Sequence, residues 1–74
     1  MIIIINDIVM ADFREKYDRE SHPAIVREIK EDRAKVEQLG TDEQGYYATD
    51  NWMWRALSLL KKIGHINNPK KLYI

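Results

Sequence analysis

Asn51-Trp52-Met53-Trp54-Arg55-Ala56-Leu57-Ser58-Leu59-Leu60-Lys61-Lys62-Ile63-Gly64 is the stretch on which the fold reading turns. At helical spacing, Trp52, Met53, Ala56, Leu57, Leu59, Leu60 and Ile63 share an arc about 160° wide. Thr49-Asp50 supplies a cap before this segment and Gly64 a stop after it. The pattern predicts a helix over 51–63 with its leucines in the core. Asn51, Arg55, Ser58, Lys61 and Lys62 fall on the opposite face. Trp54 falls among them and does not fit the apolar arc. A tryptophan beside arginine has the composition of a binding anchor, and the competing reading is that another element covers it.

Working outward, Ser21-His22-Pro23 reads as a helix start, because proline suits a first helical turn. Ile25, Val26, Ile29, Val36 and Leu39 then form an apolar stripe up to Gly40. Arg27–Glu31, Glu31–Lys35 and Arg33–Glu37 are opposite charges at i, i+4. These features predict a second, acidic helix over 23–39. Asn6 or Asp7 caps an expected first helix over 7–19, with Val9, Met10, Phe13 and Tyr17 on one face. Ile2-Ile3-Ile4-Ile5 is β-branched throughout and predicts a short N-terminal strand. Leu72-Tyr73-Ile74 predicts a short C-terminal strand, with Asn67-Asn68-Pro69 as the turn before it. The expected fold is therefore α+β and mostly helical: three helices and two short terminal strands in a single domain spanning 1–74.

Composition sets limits on function. The chain has 74 residues, 45% apolar and 32% charged, with no cysteine. That length holds one small domain with a marginal core, which a homodimer would help to complete. Disulfides and thiolate metal sites are excluded. No apolar run approaches the roughly 20 residues that a membrane helix needs. Met1 leads straight into isoleucine rather than into a basic signal-peptide start. The expectation is a cytoplasmic protein with no membrane association.

Catalytic chemistry has no visible basis. His22 and His65 lack metal-ligand partners at helical spacing. Ser21 and Ser58 lack a nucleophile-elbow context. The three glycines make no phosphate loop. No cofactor, no metal and no enzyme activity are expected.

The charge balance of 12 basic against 12 acidic residues conceals a split. Residues 1–49 carry seven basic and eleven acidic side chains, and residues 50–74 carry five basic and one acidic. Such asymmetry points to an electrostatic partner.

Trp54-Arg55-Ala56-Leu57-Ser58-Leu59-Leu60 through Lys61-Lys62-Ile63-Gly64-His65-Ile66 resembles the recognition helix and first wing strand of a winged helix-turn-helix domain. Asn67 to Ile74 resembles the rest of the wing. The resemblance implies a DNA-binding, transcription-regulating module whose partner is duplex DNA. It would place Asn51, Arg55 and Ser58 in the major groove, with Lys61, Lys62, Lys70 and Lys71 on phosphates. His65 would join the lysines. The alternative is a protein-binding inhibitor or adaptor of the phage or mobile-element type, using Trp54 and the acidic helix over 23–39.

Overall fold

The computed structural model describes residues 2–13 and 21–66. It contains one antiparallel sheet of five strands: β1 (Asp7–Asp12), β2 (Ser21–Lys30), β3 (Arg33–Asp42), β4 (Gly45–Ala56) and β5 (Lys61–His65). The spatial order is β4-β3-β2-β1-β5, so the chain meanders and then returns to place its last strand beside its first. A single 3-10 turn, Leu57–Leu59, joins β4 to β5.

All three expected helices are overturned. The segment expected as the first helix carries β1 over Asp7–Asp12, and its remainder from 14 lies outside the described residues. The expected second helix is the β2–β3 hairpin. The expected third helix is the end of β4, the 3-10 turn and the start of β5. The described residues contain no α-helix, and residues 54–66, expected as a recognition helix and first wing strand, are strand and 3-10 turn, so the winged-helix assignment is overturned. Ile2 to Ile5 forms no strand. Ile2, Ile4 and Ile5 are exposed, and only Ile3 packs on the core. The expected C-terminal strand lies outside the described residues.

The physical reason is a period-2 pattern that runs through the same residues. On β3, Ala34 and Val36 share one face and are fully buried in the main core, while Lys35 and Glu37 lie on the other face, Lys35 half-buried and Glu37 buried against Arg27. Pairing across the hairpin brings Val26 to Val36 and Ile29 to Ala34. Helix and sheet both pair their backbone groups, so the choice falls to packing, and only the hairpin sets Val26 against Val36 and Ile29 against Ala34 on one buried face. Helical charge pairs at i, i+4 are each worth only about 0.2–0.5 kcal/mol, too little to compete.

Turn chemistry closes the hairpins. Lys30 pairs with Arg33 across the two-residue turn Glu31-Asp32, where Glu31 takes a positive φ of 58°. Asp42 pairs with Gly45, and the Asp42 carboxylate accepts a bond from the Gln44 N–H at 2.8 Å. Gly45 sits at φ 118°, a conformation that disfavours any side chain. Pro23 lies on β2 opposite Met10, at a point where the β2–β3 pairing has not yet begun.

The main core consists of Val9, Ala11, Phe13, Ala24, Val26, Ala34 and Val36 from the inner face. Met53, Leu57 and Leu60 pack against it. A smaller cluster of Ile8, Ile25 and Leu39 lies on the other face, with Tyr46 and Ile66 packed on it. The connections are pinned by main-chain bonds, Leu57 N–H to Asp32 C=O at 2.8 Å and Asn6 N–H to Val26 C=O at 2.8 Å. Among the described residues no helix is long and apolar enough to cross a membrane.

Candidate functional site

The outer end of β4 carries the candidate site. Among the described residues β4 is an edge strand, paired with β3 alone. Trp52 and Trp54 lie two residues apart and so share one face of the sheet. They stand opposite Glu37 and Lys35 respectively. Their exposures are 41% and 38%, high for such large aromatic side chains.

Trp52 is held from several sides. Its indole N–H donates to the Asp50 carboxylate at 2.8 Å. The Lys35 ammonium lies 4.8 Å from its ring centroid and the Arg27 guanidinium 6.0 Å. Arg27 is fixed in turn by Glu37, with Nε and Nη2 each 3.0 Å from Oε1. The second Glu37 oxygen accepts the Asp50 N–H at 3.0 Å. Glu37 is thus a buried carboxylate with both oxygens occupied, as burial of a charge requires. Asp50 takes a positive φ of 63°, in the irregular stretch where three β4 residues lie between the partners of Leu39 and Glu37. The network holds that strained residue and the Trp52 ring in one geometry.

Trp54 has a different setting. It walls a shallow recess with Lys30, Glu31, Asp32 and Arg33. It also borders a cleft of about 290 Å³ whose lining includes Arg33, Arg55, Asp12, Leu59 and Leu60. Arg55 bridges two strands there, donating from Nε to the Asp12 carbonyl at 2.9 Å and from Nη1 to the Trp54 carbonyl at 2.9 Å.

The residues expected to form one basic face do not do so. Asn51 is exposed in the irregular part of β4, its amide donating to Gln38 Oε1 at 2.7 Å. Trp54 and Arg55 are neighbours in a strand and so lie on opposite faces of β4. Ser58 is exposed in the 3-10 turn. Lys61, Lys62 and His65 belong to β5, at the other end of the strand order. Lys61 is exposed, whereas Lys62 and His65 converge on Asp7 at 3.3 and 2.7 Å. Lys70 and Lys71 lie outside the described residues.

Asp7 is fully buried and also accepts the Ile4 N–H at 2.9 Å. Burial pushes its pKa up, but the Ile4 N–H, His65 and Lys62 together outweigh that and hold it below the ordinary carboxylate value. This cluster joins the strand ends and is a structural latch. Among the described residues no group of three or more metal-ligating side chains is assembled.

Sequence reasoning missed Trp52, Lys35, Arg27, Glu37 and Arg33 as parts of one surface. The signal was present in the Trp-x-Trp spacing of Trp52 and Trp54 and in the alternation Lys35-Val36-Glu37. Comparison of the chain with protein-family models, with curated proteins and with solved structures finds no match.

Proposed function

We propose that this protein is a non-catalytic interaction module, working in the cytosol, that adds an extended segment of a partner protein to the β4 edge. The observation that carries the reading is the pair of exposed tryptophans, Trp52 and Trp54, on one face of an edge strand. Strand addition draws affinity from main-chain bonds and specificity from alternate side chains. Two large aromatic side chains two residues apart supply that second element, and tryptophan is enriched among residues that dominate binding energy.

The two edges of the sheet support the choice. β5 is short, carries Lys61 and Lys62, and pairs with β1 through an irregularity between Ile8 and Val9. These are the devices that protect an edge from unwanted pairing. The end of β4 from Trp52 to Ala56 has no proline, no lysine and no break in its register with β3. Arg55 already bonds the Trp54 carbonyl, but a carbonyl accepts two bonds, so a partner N–H can still join it.

The test is selection of short linear peptides from a random display library on the immobilised domain, followed by mapping of a synthetic binder by NMR. The expected outcome is backbone amide shifts concentrated on β4, with binding lost in Trp54→Ala while the fold persists. Failure to recover any binder, or shifts centred away from β4, sinks the proposal. Sedimentation of the free protein provides the other check. A dimer abolished by Trp54→Ala would make the occupant a second copy of this chain and overturn the assignment of a different partner.

A further inference from the structure

A strand added to β4 meets particular main-chain groups, and three observations identify them. In an antiparallel pair, opposite residues alternate between those that exchange main-chain bonds and those whose N–H and C=O turn away. Lys30 and Arg33 close the two-residue turn between β2 and β3, so the main-chain groups of Arg33 are directed at β2. Its β4 partner Ala56 therefore turns its own groups away from β3. The register is unbroken from Arg33 to Glu37, so the same holds for Trp54 and Trp52. The Leu57 N–H bonds the Asp32 C=O at 2.8 Å, which places Leu57, Arg55 and Met53 on the β3 side in the same phase. The Trp54 carbonyl accepts Arg55 Nη1 at 2.9 Å, as a carbonyl outside the β3 ladder can.

The usable edge is short. Thr49, Asp50 and Asn51 have no partner on β3, and Asp50 takes a positive φ of 63°, so the regular edge begins at Trp52. The 3-10 turn at Leu57 ends it. Within this span, the residues that offer main-chain bonds outward are the same ones that carry the exposed indoles. Main-chain direction and side-chain face both have a period of two, so a strand paired here meets bonds and rings in one phase.

We infer that the partner segment is an antiparallel strand spanning Trp52 to Ala56, whose first, third and fifth residues exchange main-chain bonds with Ala56, Trp54 and Trp52 in turn. The third and fifth set large apolar side chains beside the two indoles, because aromatic and β-branched residues pair favourably with an aromatic residue directly opposite. Proline is excluded from those three positions and tolerated at the second and fourth, whose N–H groups turn away from β4. The antiparallel sense follows the sheet itself, in which every pairing is antiparallel, and parallel pairing is the less stable of the two. The inference rests on the strand-docking reading and adds to it the register and the residue pattern of the partner.

Hydrogen exchange of the free full chain tests the phase of the edge. The Met53 and Arg55 amides are expected to exchange at least about tenfold more slowly than those of Trp54 and Ala56. The chain is then titrated with the peptide acetyl-Val-Thr-Tyr-Thr-Val-amide, followed by NMR at the β4 amides. Saturable shifts and new exchange protection are expected at Trp52, Trp54 and Ala56. N-methylation of the peptide's tyrosine should weaken binding by at least about tenfold, since it removes a main-chain bond and crowds the edge. N-methylation of either threonine should change it by less than about twofold. Equal protection of the Trp54 and Met53 amides in the free chain overturns the inference. So does N-methylation that acts equally at tyrosine and threonine, or at threonine alone, the latter being the phase of a parallel strand. Absence of saturable binding by this peptide also overturns it. Library-selected peptides that still shift β4 in that case would leave strand docking standing, so the two readings fail separately.

Discussion

His65 Nδ1 lies 2.7 Å from the fully buried carboxylate of Asp7, across 58 positions of sequence. The contact ties β5 to β1 and brings the end of the described chain back to its beginning. Lys62 shares the same oxygen and the Ile4 N–H occupies the other. Removing this carboxylate leaves the Ile4 N–H without its acceptor, Lys62 without its anion and the His65 ring without its hydrogen-bond partner. Asp7→Ala is expected to cost about 3 kcal/mol, and Asp7→Asn about 1–2 because it keeps one acceptor. Urea unfolding of the two variants checks both the size and the order.

The same carboxylate sets an acid limit. Its pKa is lower in the folded protein than the ordinary 3.8 of the unfolded chain. Between those two values the unfolded state binds more protons, so stability rises with pH there. The stabilisation from Asp7 is therefore complete above the unfolded value and is lost as pH falls through the folded one. Denaturant midpoints measured from pH 6 down to pH 2 should decline below about pH 4, and the part due to Asp7 should vanish in Asp7→Asn.

Trp54 and Ile25 offer a direct contrast between surface and core. Trp54 is 38% exposed, and Ile25 is fully buried between Ile8 and Leu39. Trp54→Ala is expected to change stability by about 1 kcal/mol or less. Ile25→Ala is expected to cost about 2–4 kcal/mol through lost burial and the cavity it leaves. Thermal melts of the two variants decide, and a large loss in Trp54→Ala would return that residue to the core.

Gly40 and Tyr47 are paired across β3 and β4, and the Tyr47 ring occupies the space that a Cβ on Gly40 would need. Gly40→Ala is expected to destabilise by about 1–3 kcal/mol, as overpacking does. In a Tyr47→Ala background the same change should cost less, because the obstructing ring is gone. A double-mutant cycle measures that coupling.

Several features were legible in the residues themselves. Turn-forming residue types stand at Asp42 and Gly45, where β3 turns into β4. The strand periodicity was also there, in Ala34-Lys35-Val36-Glu37 and in Trp52-Met53-Trp54. Trp54 did not fit a helix because it belongs to a strand, where it and Trp52 share a face. What favoured helix was a competing pattern of equal visibility: charges at i, i+4, a proline after a serine, and a glycine stop.

Sequence by itself therefore determined which residues are apolar and that Trp54, off the apolar arc, needed an explanation. Tertiary structure alone decided between the two periods, because a strand gains its stability only from a neighbour, and the neighbour of β1 in β5 lies far away in the chain. β1 becomes a central strand by pairing with both β2 and β5. Asp7 becomes a buried latch only when His65 reaches it, and Arg55 becomes a fixed cation only when the Asp12 carbonyl, 43 residues distant, accepts its bond. Such contacts have no local signature, since the energy that selects them arises only after the sheet has closed the distance.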